Sequence, residues 1–473
     1  MNPTLSTDNM RGLVVGADEP VTLLNGSKRA YINFDNASST PFLRPVLDRI
    51  NEFAPLYASV GRGSGYKSHV ATEAFTRARE KIGRFVGADP ETHAVILGKN
   101  TTEALNRTAH CLQLSKSDIV LTSGMEHHSN DLPWRKVADV HRIGFREDGT
   151  LDTSQLAELL SRFGDRVRVV ALTGASNVTG LINPIHDIAE IVHDAGALLV
   201  VDAAQLAPHR AIHVGEADDP RRIDFLAYTG HKMYAPLGIG AVVALRGAVR
   251  AAEPEIVGGG TVDFVTDDDV VWSRLPDREE AGTPNIVGAI GWAQAIETLG
   301  DLGMERIAQH ESELSEALLQ KVKDLTAVQV YCDVDPSRAT DRLGVVTFRV
   351  QDTSHRLVAA ILGYEGGIGV RTGLFCAHPY VQRLLGMTEE ASQQIAQQMR
   401  AGERQFVPGL IRASFGIYNT VSEVDELVTM LDRIASRTYD GEYLLDPAVG
   451  AYIPQNGEAW ASSVGSSSPT PCT

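Results

Sequence analysis

A lone amine stands between two strand-like apolar runs in the segment AYTGHKMYAPLGIGAVV, residues 227–243. Thr229 and His231 precede it, so a hydroxyl, an imidazole and the amine of Lys232 come together where a strand is predicted to end. A lysine that is partly removed from water has a lowered pKa and becomes nucleophilic, which is how enzymes form Schiff bases with aldehydes. Taken alone, Lys232 is more simply explained as a solvated loop residue, so its chemistry depends on the rest of the chain.

Two further motifs supply groups that would complete such a site. The segment KNTTEALNRTA begins a predicted helix with Asn100, Thr101 and Thr102, and a helix N-terminus can bind phosphate. Asp202 in LLVVDAAQ ends another buried strand, at the edge of a parallel sheet where ligands gather. A carboxylate there can hold a proton on a heterocyclic nitrogen. Singly, these residues are explained as a helix cap and a turn aspartate.

The combination of the three motifs points to one cofactor. A phosphate site, a carboxylate for a pyridine nitrogen and an amine for an aldehyde are the three anchors of pyridoxal 5′-phosphate. They occur here in the order and strand-end context that this cofactor needs. A nicotinamide enzyme is disfavoured, because no strand leads into a Gly-x-Gly-x-x-Gly helix start.

The segment from about residue 90 to 245 predicts the elements that position these residues. It alternates helical patterns such as PIHDIAEIVHDAG with short β-rich runs such as HAVILG, DIVLTS, RVVALTG and ALLVVDA. Runs that are apolar throughout are typical of strands buried on both faces of a parallel sheet. The pattern therefore predicts a large α/β domain.

A different pattern follows from about residue 300. An amphipathic helix, ERIAQHESELSEALLQKVKDL, precedes isolated strands such as LGVVTFRV and LIRASFG. This mixed order predicts a second, smaller α+β domain. The end of the chain is rich in Ser, Gly and Pro, which predicts a disordered tail over residues 453–473.

The composition disfavours several classes of protein. With 43 basic and 60 acidic side chains, the formal net charge is −17, which predicts neither nucleic acid nor a membrane surface as a partner. No secretory signal and no apolar run long enough to span a bilayer are found, so the predicted location is cytoplasmic. The few, scattered cysteines predict neither a disulfide framework nor a metal site: Cys111, Cys332, Cys376 and Cys472.

The chain resembles the class V aminotransferase group of fold-type I pyridoxal-phosphate enzymes, above all the cysteine desulfurase and selenocysteine lyase family. The similarity runs from YINFDNASSTP to RASFGIYNT and includes MEHHSNDLPW, ASNVTGLINP, TGHKMYAPLGIG, EAGTPN and VRTGLFCA in order. The resemblance implies a large cofactor-binding domain over 31–300, with a mostly parallel seven-stranded sheet between helices. It also implies a small domain over 301–452, a segment 1–30 associated with it, and a homodimer with active sites at the subunit interface.

The resemblance implies roles for residues around the cofactor. Lys232 would form the internal aldimine, and Asp202 would keep the ring nitrogen protonated. His127 would stack on one face of the ring and Ala204 on the other. Two polar side chains would lie near the ring hydroxyl: Asn177 and Gln205. The phosphate ligands would be Thr101 and Thr102 of the helix start, Thr229, His231 and, from the partner subunit, Thr283.

The resemblance also implies roles toward an amino-acid substrate. Arg412 in IRASFG would clamp the carboxylate through two parallel hydrogen bonds, with Arg371 as a weaker candidate and Asn177 as a further contact. Cys376 in RTGLFCAHP occupies the place of the nucleophile, whose thiolate would take sulfur as a persulfide and leave alanine. Lys232 would move protons at Cα, and His127 would assist at the departing heteroatom.

Three departures from the family pattern bear on the substrate. Leu374 and Phe375 precede the cysteine where typical desulfurases carry polar residues, often histidines. Gly61 and Gly65 occupy positions where the family often has histidines. These changes predict a roomier, more apolar pocket. The segment between Cys376 and Arg412 is also longer than in common members, which predicts an inserted lid or a docking element for an acceptor protein.

Several functions agree with these residues. The leading hypothesis is a cysteine desulfurase-like enzyme that cleaves a carbon–sulfur or carbon–selenium bond, with Cys376 as persulfide-forming nucleophile and a sulfur-acceptor protein as possible partner. The alternatives are an epimerase or aminotransferase with the same cofactor, or a carbon–sulfur lyase that forms no protein persulfide. A regulatory or scaffolding protein is disfavoured because every catalytic anchor is retained.

Overall fold

A computed structural model of the chain describes residues 7–61, 63–332, 335–402, 407–446 and 450–455. The helices, numbered in chain order, are α1 (Thr7–Leu13), α2 (Arg44–Phe53), α3 (Tyr66–Phe85), α4 (Thr101–Cys111), α5 (Leu132–Val137), α6 (Thr153–Phe163), α7 (Ile185–Asp194), α8 (Ile286–Leu302), α9 (Met304–Val322), α10 (His355–Gly366), α11 (His378–Leu384), α12 (Glu389–Arg400) and α13 (Val421–Ala435). The strands are β1 (Pro20–Thr22), β2 (Lys28–Ala30), β3 (Ile32–Asn33), β4 (His93–Gly98), β5 (Ile119–Ser123), β6 (Asp139–Ile143), β7 (Val167–Thr173), β8 (Leu198–Asp202), β9 (Phe225–Thr229), β10 (Gly240–Leu245), β11 (Val262–Val265), β12 (Val270–Trp272), β13 (Val328–Val330), β14 (Val345–Val350), β15 (Ile368–Gly369), β16 (Arg371–Gly373), β17 (Leu410–Ser414), β18 (Tyr443–Asp446) and β19 (Ala451–Pro454).

The described residues divide into two compact units. Residues 13–15 and 39–309 form the first unit, and the second contains the described parts of 7–12, 16–38 and 310–455. The domain bounds expected from the sequence stay a prediction. Most of the predicted disordered tail, residues 456–473, lies outside the described residues.

The first unit is built on a seven-stranded sheet in the order β4-β10-β9-β8-β7-β5-β6. The pairs from β9 to β6 are parallel, whereas β10 is antiparallel to both of its neighbours. Every residue of β5 and β9 is buried, as expected for apolar strands covered on both faces. The predicted α/β class with a mostly parallel sheet is confirmed.

The helices of this unit bury the faces that their sequences make apolar. In α7, buried residues recur every three or four positions and the helix packs on β8: Ile185, Ile188, Ala189 and Val192. Helix α8 is apolar on most sides and packs against α2 and α3. These layers fix the strands, and therefore the loops that follow the strands.

The strand ends at one edge of this sheet carry the predicted cofactor residues. Strands β4 and β9 run in the same direction because both are antiparallel to β10. The carboxyl ends of β4, β5, β7, β8 and β9 therefore lie at one edge. Ligands of open α/β sheets bind at this edge.

The second unit contains an antiparallel sheet in the order β13-β14-β17-β16. Strand β3 pairs with β15 in parallel beside it, and Phe34 packs edge-on against Phe415 with ring centroids 5.3 Å apart. The register of β16 and β17 places Arg371 directly opposite Arg412. Within the described ranges, no helix combines the length and the apolar character that crossing a membrane requires.

Candidate active site

Lys232 lies at the end of a short turn that directly follows β9. Gly230 opens this turn, where an added Cβ would lie 2.9 Å from the Ile239 side chain and 3.1 Å from that of Trp292. The backbone N–H of Met233 donates to the Gly230 carbonyl at 2.8 Å, and that of Thr40 donates to the His231 carbonyl at 2.9 Å. These contacts hold the backbone that carries the half-buried lysine.

Asp202 is a buried carboxylate whose surroundings suit a cationic partner. Its side chain is at the end of β8, is 4% exposed, and accepts a 3.0 Å hydrogen bond from the Ala204 N–H. Burial raises the pKa of Asp202, while that hydrogen bond and the charge of Lys232 act in the opposite direction. A positively charged N–H group brought to Asp202 would stabilise its ionised form.

The start of α4 offers a site for an anion. Asn100 caps the helix by accepting the Glu103 N–H at 3.0 Å. The Thr101 hydroxyl is buried and has no hydrogen-bond partner among the described residues, which is costly for a polar group unless a ligand binds it. Gly240 permits the close approach of β10 to this helix start, because an added Cβ would lie 2.7 Å from the Asn100 backbone.

The other predicted phosphate ligands differ in their surroundings. Thr102 Oγ1 lies 2.7 Å from Ser129 Oγ, whereas Thr229 donates its hydroxyl hydrogen to the Ile239 carbonyl at 3.0 Å. Burial, with the charge of Lys232, lowers the pKa of His231 to about 4, so this imidazole is neutral at pH 7. Thr283 is exposed, on the loop before α8. Their roles toward phosphate stay predictions.

His127 has its tautomer fixed by a neighbouring serine. Its Nδ1 accepts the Ser129 backbone N–H at 3.1 Å, and the Ser129 hydroxyl lies 3.0 Å from the same nitrogen. A backbone N–H can only donate, so Nδ1 carries no proton and the hydrogen of neutral His127 is on Nε2. The hydroxyl of Ser129 thus joins Thr102 to His127, a link that the sequence did not reveal.

Glu126 is a second residue of this edge that sequence reasoning missed. Its carboxylate accepts from Ser123 at the end of β5, from the Thr173 N–H at 2.9 Å, and from Asn130 Nδ2 at 2.6 Å. The orientation of Asn130 is set by Trp134, whose indole N–H donates to its oxygen at 3.1 Å. Glu126 therefore ties the loop that carries His127 to the ends of two strands. An acid three residues after the end of a buried strand was the available signal.

We expect Glu126 to make stability depend on pH. Burial raises its pKa from 4.5 to about 8, so the folded chain binds an extra proton between these values. The free energy of unfolding must therefore fall as pH rises through this window, by about 1.4 kcal/mol for each unit by which the two pKa values differ. The urea midpoint of cofactor-free protein, measured from pH 5 to 8, tests this.

Two variants distinguish the contribution of Glu126 to the pH dependence of stability from that of other titrating groups. Glu126→Gln should flatten the fall with pH and be less stable at pH 5, because its amide hydrogens would face the N–H donors of Thr173 or Asn130. Glu158→Gln, on an exposed position of α6, should keep the wild-type slope. An unchanged slope in Glu126→Gln would contradict the assignment.

The remaining predicted ring contacts also follow these strand ends. Asn177 comes after β7, and Ala204 and Gln205 come after β8; all three are buried. Together with Asp202 and Lys232 they make this edge a polar surface at the ends of apolar strands. The residues at this edge fit pyridoxal phosphate. Asp202 is a buried carboxylate for the ring nitrogen, and the start of α4 carries the buried Thr101 hydroxyl for the phosphate.

The second unit contains three of the residues predicted to act on the substrate, namely Arg371, Cys376 and Arg412. Arg412 is 3% exposed and donates to Asp35 Oδ1 at 3.1 Å and to Ser38 Oγ at 2.7 Å. Its guanidinium carbon lies 5.1 Å from the ring centroid of Phe375. Burial and, to a smaller extent, the charge of Arg371 lower the pKa of Arg412, while Asp35 and a negative charge on Cys376 counteract this. A buried guanidinium near an exposed thiol is thus present within this unit.

Cys376 is presented on a strained turn. Phe375 and Cys376 have φ values of 49° and 53°, and a left-handed conformation of a residue other than glycine costs about 1 kcal/mol or more. The side chain of Cys376 is exposed, whereas those of Leu374 and Phe375 are buried. The two apolar residues thus hold the turn while the thiol remains accessible.

Another thiol provides a contrast with Cys376. Cys111 is buried in α4, and burial raises its pKa to about 12. The thiolate is the nucleophile, so a thiol with this pKa is inert near neutral pH. Cys332 is half-buried, with its sulfur 3.7 Å from the Tyr380 hydroxyl. Cys472 lies outside the described residues.

Comparison with known proteins gives a consistent result. Residues 32–427 match the profile of the family described as Aminotransferase class-V. The chain is 35% identical over 419 residues to a probable cysteine desulfurase of Halalkalibacterium halodurans, covering 87% of this chain and 94% of that one. It is 32% identical over 410 residues to a cysteine desulfurase of Haloferax volcanii, covering 85% of this chain and 88% of that one.

Solved structures agree with the sequence relatives. The apo structure of a cysteine desulfurase from Thermococcus onnurineus NA1 matches with a TM-score of 0.75 and 31% identity, covering 86% of this chain and 95% of that one. The cysteine desulfurase CsdA of Escherichia coli, in an S-sulfonic acid form, matches with a TM-score of 0.74 and 27% identity, covering 93% and 100%.

Proposed function

The chain belongs to the Aminotransferase class-V family of pyridoxal-phosphate enzymes, and from this premise we propose that it is a cysteine desulfurase with Cys376 as sulfur acceptor. The observation that carries the proposal is the exposed Cys376 thiol near the buried Arg412 guanidinium in the second unit. The relatives named above are described as cysteine desulfurases or as a probable cysteine desulfurase, which supports cysteine as the substrate.

Different residues of this chain would carry out different parts of the reaction. Bound pyridoxal phosphate supplies an electron-withdrawing ring that weakens the bonds at Cα of an attached amino acid. Asp202 would hold a proton at the pyridine nitrogen, and Lys232 would carry the cofactor and move the Cα proton. Arg412 would bind the substrate carboxylate, since a planar guanidinium makes two parallel hydrogen bonds to it.

Cys376 would perform the sulfur transfer. Its thiolate attacks the substrate sulfur, so that a sulfur–sulfur bond forms as the Cβ–sulfur bond breaks, and a proton delivered to Cβ completes alanine. The sum is cysteine plus protein thiol giving alanine plus protein persulfide, which needs no external oxidant. His127, with its hydrogen on Nε2, has a proton to donate at the departing atom.

We propose that two copies of the chain form the active enzyme. An apolar segment of the first unit is exposed from Ile256 and Val257 through the β11–β12 hairpin, where Phe264 is 65% exposed. An apolar patch of this kind is typical of a surface that another protein covers. In such a dimer Thr283 would reach the phosphate of the partner subunit. A cytoplasmic location, a sulfur-acceptor protein and the docking role of the insertion containing α12 stay predictions.

The test is an assay of purified, cofactor-supplied protein with L-cysteine and a thiol reductant. We expect equimolar alanine and sulfide, and a persulfide on Cys376 by mass spectrometry when the reductant is omitted. Cys376→Ser should lower sulfide release by roughly a hundredfold, because the nucleophile is lost. Cys111→Ala, which removes a buried thiol, should leave the rate unchanged.

Other outcomes would replace this proposal. Full sulfide release by Cys376→Ser would indicate elimination without a protein persulfide. Racemisation or keto-acid formation without sulfide would indicate an epimerase or an aminotransferase.

A further inference from the structure

Two arginines of the second unit face each other across neighbouring strands. Arg371 on β16 and Arg412 on β17 are directly opposite in the antiparallel register. Like charges in this arrangement repel and destabilise a sheet unless an anion lies between them. Arg412 is nearly inaccessible, whereas the side chain of Arg371 is 56% exposed, so the pair has one buried and one solvated member.

Asp35 supplies that anion. Its Oδ1 lies 3.1 Å from Arg412 Nη2, and its Oδ2 lies 3.8 Å from Arg371 Nη1. Ser38 donates to Asp35 at 2.6 Å and accepts from Arg412 at 2.7 Å. The Asp35 side chain is 25% exposed and that of Arg371 is 56% exposed, so these two charged groups remain open to a small ligand beside the buried Arg412.

The backbone fixes the position of Asp35. A β-bridge joins it to Ser414 of β17, two residues after Arg412. The N–H of Ser414 donates to the Phe34 carbonyl at 2.7 Å, and the N–H of Asp35 donates to the Asn33 side chain at 3.0 Å. The carboxylate therefore has little freedom to leave the two arginines when a ligand approaches.

We propose that Asp35 determines the anion that this site accepts. The two guanidinium groups and the Asp35 carboxylate together carry a charge of +1, whereas the guanidinium groups alone would carry +2. Asp35 therefore weakens the attraction of the site for a dianion more than its attraction for a single carboxylate. Asp35 also positions Arg412 through Ser38, so the guanidinium is oriented before the ligand arrives. The inference rests on the proposed role of Arg412 toward the substrate carboxylate, and it assigns to Asp35 the discrimination between a monocarboxylate and a dianion.

The test compares two ligands that differ at one group. L-Alanine carries a carboxylate, whereas 1-aminoethylphosphonate carries a phosphonate of higher negative charge in its place. Binding of each to the holoenzyme is followed by absorbance titration of the cofactor, at constant ionic strength. The measured quantity is the ratio of the two dissociation constants, which a general loss of stability does not change.

Two variants should move this ratio in opposite directions. Asp35→Asn makes the site +2 and should shift the ratio toward the phosphonate by about tenfold or more, because one charge a few ångströms away changes the interaction with a dianion most. Arg371→Gln makes the site neutral and should shift the ratio toward alanine. Arg371 is largely exposed, so this variant remains informative if Asp35→Asn does not fold.

A matched control lies in the same unit. Asp18 pairs with Arg11 at 2.6 Å on an exposed position, and Asp18→Asn should leave the ratio unchanged. An unchanged ratio in the Asp35 and Arg371 variants would overturn the inference, even if the wild type releases sulfide from cysteine. The expected shifts without sulfide release would overturn only the proposed function. Absence of saturable binding of L-alanine by the wild-type enzyme would also overturn the inference, whereas sulfide release from cysteine decides the proposed function.

Discussion

Replacing Lys232 by alanine is expected to abolish both the covalent attachment of the cofactor and turnover. The side chain lies in the turn after β9 whose backbone is held by Gly230 and Thr40. Loss of a group that acts as nucleophile and proton carrier should lower kcat by at least about a thousandfold. The measurements are sulfide release and peptide mass spectrometry after borohydride reduction, with a pyridoxyl group expected on Lys232 of the wild type only.

A second lysine provides the control for this experiment. Lys323 is exposed just after α9 in the second unit, and Lys323→Ala should retain both the pyridoxyl label and the rate. A pyridoxyl group on another lysine of the wild-type protein, with Lys232 unmodified, would refute the assignment of Lys232 and with it the site at this edge of the sheet.

Asp202→Asn is expected to lower kcat by roughly a hundredfold or more while the protein still binds the cofactor. Asparagine fills the same volume and can still accept from the Ala204 N–H, so the turn after β8 is retained. It has no negative charge, however, and cannot hold a proton on the pyridine nitrogen. The rate at saturating cysteine and the cofactor content by absorbance measure the two effects separately.

The charge of Asp202 is the specific point under test. Burial raises the pKa of this carboxyl group, so its ionised form requires a cation beside it, and a protonated ring would supply one. Asp194→Asn, on an exposed position at the end of α7, removes an equal charge and should have no effect on the rate. A wild-type rate in Asp202→Asn would show that ring protonation does not depend on this residue.

The fold class could be predicted because it depends on local sequence patterns. Strands such as β5 and β9 are mostly apolar, without polar–apolar alternation, and are buried in every position, which is the pattern of a parallel sheet covered by helices. Helix α7 shows its apolar stripe in the same way. No local sequence pattern indicates that β10 is antiparallel to its neighbours, because the direction of a strand is set by how the chain returns to the sheet.

The cofactor residues were predictable for a related reason. Asp202 ends a strand, and Thr101 and Lys232 each lie within three residues of the end of one. The carboxyl ends of parallel strands meet at one edge whatever the details of packing. The sequence therefore placed them near one another without knowledge of their contacts. It did not reveal that Thr229 gives its hydroxyl hydrogen to the Ile239 carbonyl.

Residue types and their order along the chain thus determined the α/β architecture and the cofactor, and they predict the residues that would hold it. Only the tertiary structure decided which carboxyl groups contact the strand ends and the arginines. Glu126 lies between two strand ends, and Asp35 lies between Arg371 and Arg412. The physical reason for this difference is that the composition of a strand indicates whether the strand is buried. A hydrogen bond or an ion pair between residues up to several hundred positions apart depends on register and packing, which exist only in the folded chain.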